Sequence, residues 1–183
     1  MRLLTCAAER RIVKQRGLLT MNPLDDVRAH IQAAASESDY TAVNIFWLAL
    51  LKLANLEQGN TERVRMTSLV NRILEATVHG IVADEAVDSL LNLDPSLETV
   101  LSHPREELDT KKVAEALAVI RSQRLSSPRT AMASLGFVLK SIRNKREHGF
   151  KTRLGPRDTV ILCAARRLLE WTCLAALSSI SAV

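Results

Sequence analysis

The chain has 183 residues, of which 47% are hydrophobic, 25% charged and only 3% aromatic, with a formal net charge of +5. That composition suffices for one buried core and excludes an extended disordered chain, while Leu and Ala with few Gly and Pro favour helices over sheets. Three cysteines, Cys6, Cys163 and Cys173, form an odd set without CxxC spacing, which points away from a disulfide framework or a zinc site and towards a reducing, cytoplasmic setting.

Residues 1 to 20 carry a net charge of +4. Glu9, Arg10 and Arg11 interrupt their apolar run, so they do not read as a secretory signal. Residues 1–21 are expected to be a basic extension, disordered or the product of a mis-set start codon, ahead of one domain over 22–183. Asn22-Pro23 followed by Asp25 and Asp26 has the pattern of an N-cap, a first-turn proline and first-turn acids, and predicts a helix to about Ala35. Asp39 opens a mostly apolar helix over Tyr40 to Leu56, closed by Gly59. Thr61 and Glu62 open the next, expected to run to His79 with Gly80 as its left-handed cap.

Shorter helices are predicted from Asp84 to about Leu93 and over Pro95 to Leu101. Pro104 to Asp109 reads as a polar connection, followed by a helix from Thr110 to about Leu125. Ser127-Pro128 repeats the cap-and-proline signature, and Gly155-Pro156 opens a last helix to about Leu177. Its apolar run is broken by Arg166, Arg167 and Glu170, short of the ~20 residues a bilayer requires. There is no period-2 strand pattern and no repeat. The expected fold class is all-α, a single-domain bundle of five to seven helices.

The helix from Pro128 places Ala131, Met132, Leu135, Val138, Leu139 and Ile142 on one apolar stripe. It leads into Arg143-Asn144-Lys145-Arg146-Glu147-His148-Gly149, within a segment, 140–157, of net charge +6. An arginine forks onto phosphate oxygens and a histidine moves protons near neutrality, so this pair suits phosphodiester chemistry without a metal or cofactor. On a continuous helix Arg143 and His148 stand about 140° apart. They converge if the helix unwinds at Glu147, or, as we favour, if a two-fold dimer brings one subunit's Arg towards the other's His. Phe137 lies in line with Asn144 on the face opposite the core stripe, so that face should be covered by another helix or by a second copy. Phe137, Ser141 and Asn144 are the expected dimer contacts. A second Arg and His at similar spacing, Arg72 and His79, lacks the Asn and the basic surroundings and reads as a helix end. His30 and His103 read as surface or loop residues.

Arg-Asn-x-x-x-His-Gly near the end of a penultimate helix, before an apolar final helix, resembles the HEPN superfamily, and its abortive-infection C-terminal domains most. The resemblance implies a helical bundle that dimerises through the motif helices and, in many members, metal-independent endoribonuclease activity as a toxin or phage-defence effector. It implies that His148 is the general acid or base, that Arg143 neutralises the phosphorane, and that Asn144 orients the histidine or the phosphate. Lys140, Lys145, Arg146, Lys151 and Arg153 are the expected backbone-binding cations. Implied partners are RNA, a second copy and a neutralising antitoxin, with no membrane. The alternative is a non-catalytic HEPN-like interaction module. DNA binding lacks a helix-turn-helix signal.

Overall fold

A computed structural model describes residues 22–101, 107–147 and 155–182, the side chains of 107–109, 146 and 147 excepted. Residues 1–21, and with them the expectation of a basic extension, lie outside the described residues.

Among the described residues the chain is all-helical, with nine helices: α1 (Pro23–Ala35), α2 (Asp39–Ala54), α3 (Glu62–Arg72), α4 (Glu75–Val82), α5 (Glu85–Leu91), α6 (Leu97–Leu101), α7 (Glu107–Gln123), α8 (Pro128–Glu147) and α9 (Pro156–Ser181). Sequence punctuation explains most of the starts. Asn22 accepts from the Leu24 amide, Ser38 from Thr41, Thr61 from Val64 and Asp84 from Ala86, each relieving one of the orphaned donors of a helix's first turn. At α9 the Asp158 carboxylate accepts from the Gly155 amide at 3.3 Å.

α2 lies between α1 and α9, while α8 lies between α4 and α7, and α9 also packs on α5. Along α2, Ala42, Val43, Phe46, Trp47, Leu50 and Leu53 are buried, and on α8 the predicted stripe Ala131, Met132, Leu135, Val138, Leu139 and Ile142 is buried throughout. Side chains such as Phe46 and Leu139, 0% and 2% exposed, each stabilise the fold by about 1.5–3 kcal/mol. No helix of the described residues is long and apolar enough to cross a membrane.

The bundle is more finely divided than the expected five to seven helices. The segment read as one helix from Thr61 to His79 is two, because α3 ends at Arg72 and Ile73 and Leu74 are extended. Ile73 is buried while Leu74 is 74% exposed, so the turn redirects the chain around an apolar anchor. Gly80 is then no cap. It sits inside α4, where a Cβ would lie 3.3 Å from the Trp171 ring, and its missing side chain lets α4 approach α9. Left-handed backbone belongs to Gly59 instead, at φ 152°, where a Cβ would meet Val64 at 2.7 Å. α7 begins at Glu107, inside the segment expected to be a connection, and α9 runs four residues past Leu177.

Candidate active site

α8 carries the first part of the motif, Arg143 to Glu147, on its last turns. Its buried stripe ends at Ile142, 1% exposed. Arg143 and Asn144 are the next two positions, swung about 100° apiece away from the core, and both are partly buried. Arg143 Nη1 donates to Asn144 Oδ1 at 3.2 Å. The helix is continuous to Glu147, so there is no unwinding before that residue. His148, Gly149, Lys151 and Arg153 lie outside the described residues, as do the side chains of Arg146 and Glu147. The structure therefore brings Arg143 and Asn144 together and is silent on the convergence of Arg143 with His148.

Two expected backbone-binding cations have partners within the chain. Lys140 Nζ lies 2.7 Å from Glu62 Oε1 at the head of α3, and Lys145 Nζ donates at 3.0 Å to the carbonyl of Leu101, the last residue of α6. The second contact is a familiar use of a lysine, because the final carbonyls of a helix lack amide partners and carry the negative end of its dipole. Sequence spacing could not reveal either contact, since Glu62 is 78 residues from Lys140. Glu62 was visible only as a first-turn acid.

The expected dimer contacts are partly occupied by the chain itself. Phe137 is a half-buried residue packed against the chain's own core, so part of its cover comes from within the chain. Ser141 Oγ donates to the Phe137 carbonyl at 2.9 Å, and Asn144 accepts from Arg143. Beside Phe137, a Cβ added to Gly136 would meet nothing within 4 Å.

The rival motif dissolves in three dimensions. Arg72 ends α3 and pairs with Glu57 at 2.5 Å, whereas His79 is an exposed residue inside α4, across the turn at Ile73 and Leu74. His30 is more than a surface residue. It lies on α1, where Nδ1 donates to the Asp26 carbonyl at 2.8 Å and Nε2 faces Lys52 Nζ at 3.4 Å, and Lys52 in turn bonds the Asp26 carboxylate. That bond, opposed in part by burial and aided by the charges of Lys52 and His30, holds the Asp26 pKa below the usual carboxylate value. His103 lies outside the described residues. Cys173 is buried with its thiol donating to the Phe46 carbonyl at 3.2 Å, while Cys163 is exposed. Burial pushes the Cys173 pKa far up, with the Glu170 charge adding to it, as for a core hydrophobe. Among the described residues no three His, Cys, Asp or Glu side chains gather where they could hold a metal ion.

Among the described residues, fold and site together define an all-helical bundle with an Arg-Asn pair on its penultimate helix. No protein-family model matches the chain, and no curated protein or solved structure matches it either.

Proposed function

We propose that this chain is a metal-independent endoribonuclease of the HEPN type, acting as a homodimer in the cytoplasm as a toxin or phage-defence effector. The observation that carries this reading is the placement of the motif. Arg143 and Asn144 emerge, hydrogen-bonded to each other, just after the buried stripe of α8 ends. His148 comes four residues after Asn144, before the apolar α9. In this reading His148 takes the proton from a ribose 2′-hydroxyl or returns one to the leaving oxygen, and Arg143 neutralises charge on the phosphorane oxygens. Asn144 holds the guanidinium in register, and the second subunit supplies what a continuous helix keeps apart. An antitoxin would cover this end of the bundle.

The test is cleavage of total RNA and of tRNA by the purified chain with a chelator present. Degradation is expected from the wild type, with a fall of about 10²–10⁴ in rate for His148→Ala and about 10²–10³ for Arg143→Ala. Intact RNA at high protein concentration would overturn it.

A specific observation favours a second reading, a non-catalytic interaction module. Lys140 and Lys145, two of the expected backbone-binding cations, already have partners in their own chain. Under that reading both variants leave RNA untouched but weaken capture of the partner protein.

A further inference from the structure

Lys140 and Lys145 flank the Arg143-Asn144 pair on α8, yet they are held in different ways. Lys145 donates to the main-chain carbonyl that ends α6, an acceptor fixed by the helix itself. Lys140 is held by the Glu62 carboxylate at 2.7 Å, and the side chains of both partners are 42% exposed. Exposed ion pairs contribute little net stability, because each partner is nearly as well served by water. Lys140 also stands one turn, about 6 Å of rise, before Asn144, so it shares the face of α8 that carries that residue.

Glu62 has its own reason to be there. It occupies the first position of α3, after the Thr61 cap, where the helix dipole favours a negative group. Glu62 thus stands in the first turn of α3 with its carboxylate on an ammonium group. An RNA phosphate is the same kind of oxyanion, and it could take the place of this half-exposed carboxylate on Lys140.

We infer that Glu62 is a built-in competitor for the RNA site: its carboxylate occupies Lys140 in the free protein, and an RNA phosphate must displace it to bind. The inference rests on the ribonuclease reading above. Glu62 therefore sets the threshold of affinity and of salt at which RNA is held beside Arg143, while Lys145 keeps the end of α8 in place throughout.

The experiment is fluorescence anisotropy of a short, fluorescein-labelled 2′-O-methyl oligouridine, which has no free 2′-hydroxyl to react, titrated with the full chain over a series of salt concentrations. Glu62→Gln should bind about two- to fivefold more tightly than wild type, the range an exposed pair can withhold. Its slope of log affinity against log salt should stay close to that of wild type, because Lys140 meets a phosphate in both complexes. The gain should vanish in a Lys140→Gln background, whose slope should flatten by about 0.7, one phosphate contact on a single strand. Asp25→Asn makes the same change of net charge on α1, where Asp25 pairs with Arg28, and should show no such gain. Circular dichroism confirms that each variant is folded. Absence of the gain in Glu62→Gln, its persistence without Lys140, or an equal gain in Asp25→Asn overturns the inference and leaves the RNA reading standing. No binding by wild type or any variant, even at the lowest salt, overturns the RNA reading itself and this inference with it.

Discussion

Two helix corners in this bundle and the end of α8 use basic residues in opposite ways. At the first corner, Arg166 of α9 donates to the carbonyls of Ala35 and Glu37 and to the Asp39 carboxylate, at 2.9, 3.1 and 2.8 Å. At the second, Arg129 of α8 donates to the carbonyls of Val70 and Ile73, at 2.8 and 3.0 Å, and pairs with Glu75 at 2.5 Å. Each guanidinium closes one helix and meets the first-turn acid of the next, which answers the orphaned carbonyls and the helix dipole together. The end of α8 is different. Arg143 bonds, among its contacts, a neutral amide on its own helix, and Lys140 meets a half-exposed carboxylate. A fork spent on two main-chain carbonyls is part of the architecture, whereas a lysine whose partner is a half-exposed carboxylate can be handed to a ligand. Counting positive charges treats them alike.

The comparison breaks if the two groups of residues fail to separate activity from stability. The largest expected effect is on the α8 side: His148→Ala should lower RNA cleavage by about 10²–10⁴ with its thermal midpoint unmoved. Next is Arg166→Met, which strands three acceptors and should cost about 2 kcal/mol. For a chain of this size that is a fall of about 4–8 °C in the midpoint, read by circular dichroism, with cleavage by the folded fraction unchanged. Loss of cleavage in Arg166→Met at temperatures where it remains folded would erase the distinction. Lys145→Met sharpens it, because Lys145 lies in the motif but behaves as a corner residue: it should lose about 1 kcal/mol of stability.

Helix starts were legible because capping chemistry is local. Asn22, Ser127-Pro128 and Gly155-Pro156 each mark an entry that the structure keeps, and the α8 stripe was readable to the residue because periodicity reports burial directly. The break at Ile73 and Leu74 was not legible. No Gly or Pro marks it, and what ends α3 is the packing of Ile73 together with Arg129 arriving from 56 residues away. Gly80 misled for a related reason, since a glycine that admits a neighbouring ring and one that caps a helix look alike in sequence. In the candidate site, Arg143 and Asn144 were legible as neighbours. The partners of Lys140 and Lys145 were not, because both come from other helices.

The smallest expected effect lies at the seam between α1 and α2, and it checks whether an exposed lysine-carboxylate pair of this kind persists in solution. Lys52 bonds the Asp26 carboxylate, with His30 facing the same ammonium group, and the Asp26 pKa is lowered mainly by that bond. A carboxyl group whose folded pKa is depressed adds stability above its unfolded pKa, about 3.9. That contribution is lost as pH falls through the lower folded value. The difference in unfolding midpoint between wild type and Asp26→Asn should therefore be present at about pH 5 and narrow below about pH 4. A difference that stays constant through the acid range would show that Lys52 does not hold Asp26 in solution. The Lys140–Glu62 pair, of similar exposure and joining α8 to α3, would then lose its closest precedent in the molecule.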